Sequence, residues 1–223
     1  MYTNRDLSTI KEMRYKYFLF DWDGSLADTL PIWFEGFKKV FARHGIEVTN
    51  DTIGNEVIGD WDGPQRLGVK NSEDFFNEVE AEVIDKLNSV SLNPGALELL
   101  KKIKMEGGKI GIITASRKRW VKTALRNNGL RDLVDVFLGK EDVEFVKPHP
   151  EAIEKALRHM DGKPEEALMV GDNGKDIMAG KRAGVKTGLY FPKRYEEFYG
   201  KDGQTNFGPT YMIEDFGEME KFL

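Results

Sequence analysis

An open α/β sheet of parallel strands, interrupted by an all-helical domain, is the architecture this 223-residue sequence predicts. Two patterns predict it. Short apolar runs alternate with amphipathic helical stretches through most of the chain, the order that builds a parallel sheet with right-handed crossovers. Between residues 30 and 92 the alternation stops, and only helical periodicity continues.

The first strand is Tyr15–Phe20 (YKYFLF), an aromatic and apolar run of the buried kind. Further strands are expected at Lys109–Thr114 (KIGIIT), Val134–Gly139 (VDVFLG), Ala167–Gly171 (ALMVG) and Lys186–Phe191 (KTGLYF), each stopped by a turn or polar residue. Helices fall between them. PGALELLKKIKMEG puts Leu97, Leu100 and Ile103 on one face and stops at Gly107-Gly108. RKRWVKTALRNNG aligns Trp120, Val121, Ala124 and Leu125 and ends at Gly129, and PEAIEKALRHM aligns Ile153, Ala156, Leu157 and Met160.

In the interruption, WFEGFKKVFARHG spaces Trp33, Phe37, Val40 and Phe41 as a helix does. EDFFNEVEAEVIDKLNSV does the same with Phe75, Val79, Val83 and Leu87. Asn93-Pro94-Gly95 marks the return. The expected division is therefore an α/β core from residues 1–29 and 93–223 and a helical domain from residues 30–92. VIGDWDGPQRLGVK, inside the helical domain, carries Gly59, Gly63 and Pro64 and reads as a turn. YFPKRYEEFYGKDGQTNFGPTY, after the last strong strand, is long for a connection and reads as a peripheral loop.

Composition narrows the function. Hydrophobic residues at 40% and charged residues at 32% suit a soluble globular protein, and a net charge of −5 disfavours nucleic acid and anionic membranes as partners. The absence of cysteine excludes disulfides, thiolate metal sites and cysteine nucleophiles. MYTNRDLSTIKEMRYK holds no apolar run of signal-peptide length and reads as a polar lead-in, so a cytoplasmic protein is expected. Its oligomeric state is left open.

In open α/β sheets, ligands bind beyond the carboxyl ends of the strands. Those ends carry Asp21 and Asp23, then Thr114, Ala115 and Ser116, then Lys147, and then Gly171, Asp172, Asn173 and Asp176. Such a rim suits phosphoryl transfer, which needs a nucleophile, a proton carrier for the leaving oxygen and cations around spread negative charge. Carboxylates also suit Mg²⁺, an oxygen-preferring ion. Thr114 and Ser116 can equally cap the helix that follows.

FDWDGSLADT resembles the first motif of the haloacid dehalogenase-like phosphatases, an apolar strand followed by DxDG[TS]. IITAS, KPHPEAI and VGDNGKDIMAGKRAGV are similar to the second, third and fourth, with Asn173 in place of a common serine. The four stand in the family's order across residues 17–185. The resemblance implies a Rossmann-like core with a helical cap, as in the phosphoglycolate phosphatase and β-phosphoglucomutase branch. It implies Asp21 as the phosphorylated nucleophile and Asp23 as general acid and base, its carbonyl also on Mg²⁺. Thr114 and Lys147 would hold the phosphoryl group, with Gly24, Ala115, Ser116 and Asn173 around it. Asp172 would bind the metal, and Asp176 either the metal or Lys147.

The mutases of that branch carry a histidine where this chain has Trp33, and an acidic residue where it has Gly171. Both departures imply a phosphatase acting on a small phosphorylated metabolite. The alternatives are a phosphoglucomutase-like isomerase and a non-catalytic regulatory or binding member of the fold. Arg66 and Lys70, in the loop where related caps place specificity residues, are candidates to meet a second anionic group of the substrate, or are ordinary surface charges. Asp60-Trp61-Asp62-Gly63 repeats the letters of Asp21-Trp22-Asp23-Gly24 without their partner motifs, so it reads as a cap loop that could fold down over the first copy. Arg117, Lys118 and Arg119 read as a solvated helix start.

Overall fold

The computed structural model describes residues 13–200 and 204–223. The lead-in at residues 1–12 lies outside them, as do Lys201, Asp202 and Gly203 of the long C-terminal connection.

Six parallel strands form one sheet: β1 (Tyr17–Phe20), β2 (Lys109–Ile113), β3 (Val136–Leu138), β4 (Ala167–Gly171), β5 (Lys186–Tyr190) and β6 (Tyr211–Ile213), in the order β3-β2-β1-β4-β5-β6. Side chains alternate across it, as the strand period requires. Phe18 and Phe20 enter one apolar cluster with Ile110, Ile112, Leu168 and Val170; Leu19 enters the other with Ile113 and Met169. The chain builds outward from β1 to β3, then returns to pair β4 on the other side of β1. Phe20 stands level with Ile112 and Val170, so Asp21, Thr114 and Asp172 emerge within one residue step of each other at this reversal.

Four helices separate β1 from α5 (Ala96–Met105): α1 (Leu30–Arg43), α2 (Asn50–Glu56), α3 (Gly63–Arg66) and α4 (Ser72–Asn88). Pro31 opens α1, where its missing N–H costs nothing. Asn71 caps α4 by accepting the N–H groups of Glu73 and Asp74, and those two acids face the positive end of the helix dipole. The expected stripe Phe75, Val79, Val83 and Leu87 is buried along α4. The remaining helices are α6 (Lys118–Asn127), α7 (Glu151–His159), α8 (Gly174–Arg182) and α9 (Glu196–Tyr199).

Several elements differ from expectation. β3 begins at Val136, two residues later than expected, and just before it Asp135 meets Ile110 twice, its side chain accepting the Ile110 N–H and its own N–H donating to the Ile110 carbonyl. Leu99, rather than Leu97, completes the buried face of α5. Gly63–Arg66 is a turn of helix, and the C-terminal stretch contributes the sixth strand. No helix among the described residues is long and apolar enough to cross a membrane.

Candidate active site

Lys147 is the hub of the site. Its ammonium is buried and spends its three protons on Asp21 Oδ1 at 2.6 Å, Asp176 Oδ1 at 2.6 Å and the Ile113 carbonyl at 3.0 Å. Asp21 follows β1 directly, its N–H anchored on the Val170 carbonyl. Asp176 sits in the first turn of α8, where Oδ2 accepts the Asn173 N–H while the Asn173 side chain accepts that of Lys175. This reciprocal cap locks the start of α8. Asp172, at the end of β4, is 1% exposed.

Asp21, Asp172 and Asp176 bring carboxylate oxygens within 4.8 Å of one another, all buried. One ammonium does not balance three carboxylates. Burial, opposed by Lys147 and reinforced by the charges of Asp176 and Asp23, pushes Asp21 up to about 8. Burial and the charges of Asp21 and Asp176 push Asp172 well above the carboxylate range. Lys147, although burial works against its charge, is held above its ordinary value by Asp176 and Asp21. A compact, buried, all-oxygen donor set with excess negative charge fits a hard divalent cation.

The raised carboxyls have a consequence for stability without metal. Asp21 ionises near 3.8 when unfolded and keeps its proton to about 8 when folded. Its contribution is therefore complete below about pH 4 and is lost as pH rises through 8. In chelator, the thermal midpoint of the wild type is expected to fall between pH 5 and 8.5 more steeply than that of Asp21→Asn. Parallel curves in a fluorescence melt would contradict it.

Asp23 is half-buried and held by three donors. Ser116 Oγ reaches Oδ2 at 2.6 Å and Thr114 Oγ1 reaches it at 3.3 Å, while Trp33 Nε1 donates to Oδ1 at 2.7 Å. Thr114 also accepts the Ser116 N–H. Neither hydroxyl caps α6, whose N-cap position is Arg117. Gly24 adopts φ +73°, and a Cβ there would lie 2.3 Å from Asp172 Oδ2. Only glycine lets the first loop pass this close to Asp172.

The helical insert covers this rim. Trp33 and Phe37 of α1, Phe76 of α4, and Trp61 with Asp60 from the second DWDG line a cavity whose floor is Asp21, Asp23, Thr114 and Lys147. Trp61 Nε1 donates to the Ala115 carbonyl at 3.0 Å, and Lys175 Nζ donates to the Ile58 carbonyl at 2.6 Å. Asn173 also faces the cavity. The second DWDG thus faces the first across the cavity, with Trp61 bonded to the loop after β2 and Asp62 exposed.

Other expectations need correction. Arg117 is no solvated residue: it is buried, lies over the rings of Trp61 and Trp120, and bonds Asn77, Glu73 and Glu80 of α4. A guanidinium saturated by ring faces and carboxylates tolerates this burial. Arg66 pairs with Asp60 and Glu56 and does not line the cavity; Lys70 is exposed and also lies outside it. The C-terminal stretch is no peripheral loop. Tyr195 donates to the Gly24 carbonyl at 2.7 Å, Tyr199 to Asp172 Oδ2 at 2.6 Å, and Gln204 Oε1 accepts the Gly174 N–H at 2.8 Å. Tyr195, Phe198 and Tyr199, three and four residues apart in a polar stretch, are the helical signal that could have revealed it.

Three comparisons place the chain among known proteins. The family model described as "Haloacid dehalogenase-like hydrolase" matches residues 18–189. The pyrophosphatase PpaX of Bacillus cereus (strain Q1) is 32% identical over 188 residues, covering 78% of this chain and 82% of that protein. A proposed haloacid dehalogenase-like hydrolase from Bacteroides fragilis superimposes with a TM-score of 0.80 at 27% identity, over 92% of this chain and 99% of that one. CbbY from Rhodobacter sphaeroides, crystallised with phosphate, shares the fold with a TM-score of 0.73 at 22% identity, over 92% and 96% of the two chains.

Proposed function

The chain belongs to the haloacid dehalogenase-like hydrolase family, and we propose that within it this protein is a Mg²⁺-dependent phosphatase of a small phosphate monoester, working through an aspartyl-phosphate on Asp21. The observation that carries the proposal is the buried contact of Lys147 with Asp21 beside a second carboxylate, Asp23, held in place by separate donors. The phosphate bound by CbbY and the name of the pyrophosphatase relative support phosphate as the chemistry.

Lys147 engages Asp21 Oδ1, which leaves Oδ2 to attack phosphorus. As the Asp21–phosphorus bond forms and the ester bond breaks, the carboxyl of Asp23 gives its proton to the departing alkoxide. Asp23 then takes a proton from water, whose oxygen attacks phosphorus and frees Asp21 with release of phosphate. Thr114 and Ser116 orient Asp23 for both transfers. Asp21, Asp172 and the main-chain carbonyl of Asp23 would hold Mg²⁺, and both oxygens of Asp176 are already engaged, which favours it as the support of Lys147. When bound, the ion would neutralise charge on the transferring group.

The insert serves as a cap. Its aromatic wall would shield the floor of the cavity from bulk water on closure, and Trp33, the cap residue bonded to Asp23, stands where the mutase resemblance would need histidine. Phosphate release from a panel of phosphoglycolate, sugar phosphates, nucleoside monophosphates and pyrophosphate tests the reading. Release with Mg²⁺, lost in chelator and restored by Mg²⁺, is expected for at least one compound. Transfer between sugar positions without net release would replace it with the isomerase reading, and silence across the panel with a non-catalytic one.

A further inference from the structure

We propose that Tyr199 is a positioning residue of the metal centre, which orients Asp172 and makes cation affinity depend on how the helical insert is seated. The inference rests on the metal-site reading above and adds a residue outside the four motifs.

Two sets of contacts meet on this one side chain. Towards the site, its hydroxyl donates to Asp172 Oδ2 at 2.6 Å. The two residues are 3% and 1% exposed, so no bulk water can replace that bond. Gly24 closes on the same oxygen from the first loop, which leaves the Asp172 carboxylate little rotational freedom.

Towards the insert, Tyr199 fills the space that Gly54 of α2 leaves open. A Cβ at Gly54 would lie 2.8 Å from Tyr199 Cδ1 and 2.9 Å from the Phe198 carbonyl oxygen. Phe34 of α1 meets the Tyr199 ring edge-on at 6.3 Å and Phe198 at 4.7 Å, and Asn50 Nδ2 donates to the Glu197 carbonyl at 2.7 Å. α9 therefore cannot shift against α1 and α2 without carrying the Tyr199 hydroxyl relative to Asp172.

Partners that orient a metal-binding carboxylate commonly contribute about 10- to 100-fold in affinity. Tyr199→Phe keeps the ring and removes only the donor. Calorimetric titration of the full chain with Mg²⁺ is expected to give a Kd about 10- to 100-fold weaker than wild type for this variant, at a similar Tm. Gly54→Ala, which touches no carboxylate of the site, is expected to weaken Mg²⁺ binding in the same direction. Turnover of Tyr199→Phe should recover at saturating Mg²⁺, which a merely structural defect would not allow. A wild-type Kd in Tyr199→Phe would overturn the positioning role, and a wild-type Kd in Gly54→Ala would overturn the link to the insert. A wild-type chain that takes up no Mg²⁺ would remove the metal-site reading and this inference together.

Discussion

Asp21→Asn is expected to lower phosphate release by on the order of 10⁵-fold, a loss typical of removing a covalent nucleophile. An amide accepts the Lys147 hydrogen bond through its oxygen, so the architecture around it is retained. It is a poor nucleophile and carries no charge, so the covalent route closes. The same change relieves crowding among the three buried carboxylates, Asp21, Asp172 and Asp176. Activity should thus collapse while metal-free stability at pH 8 holds or rises. That divergence separates a catalytic role from a structural one. Turnover within tenfold of wild type would rule out the aspartyl-phosphate route, and a large drop in Tm would show that Asp21 is needed for folding.

Lys147→Met should act mainly on stability. The ammonium donates to both Asp21 and Asp176 inside the protein, at 2.6 Å from each. Removing one partner of a buried ion pair leaves charge without compensation and costs about 3–5 kcal/mol. The carboxyls can escape part of this by taking up protons, so the loss should be larger at pH 8 than at pH 6. Urea unfolding at both values measures it. Mg²⁺ should return some of the lost stability by supplying positive charge to the same cluster. An equal and small effect at both pH values would mean that Lys147 does not hold the site together.

How far the site could be read ahead of the structure depended on where a residue's signal lies. Asp21, Asp23, Thr114, Asp172 and Asp176 stand just after strand ends or in a first helical turn, places that periodicity locates, whereas Lys147 lies in the loop between β3 and α7 and was singled out, like the Asp21–Asp23 pair, by the order of the family's motifs. Helical periodicity likewise marked α1 and α4 correctly. Arg66 and Lys70 show the limit. A cation in a promising loop is visible as a letter, but Arg66 is consumed by Asp60 and Glu56, neighbours across its own loop. Arg117 errs the other way, since a charge in a basic run gave no sign of the two tryptophan rings and the α4 carboxylates that would bury it.

By itself the sequence determined the parallel sheet, the helical interruption and the order of the chemical groups around the rim. Those follow from local rules: strand and helix periods, caps, and the fact that parallel strands deliver their ends to one edge. Only the tertiary structure decided what touches those groups from a distance. Trp33 on Asp23, Trp61 on the Ala115 carbonyl and Tyr199 on Asp172 join residues 10, 54 and 27 positions apart. Each bond depends on how the insert and the C-terminal helix are seated against the sheet. That seating is set by shape and burial summed over many side chains, and no short stretch of sequence encodes it.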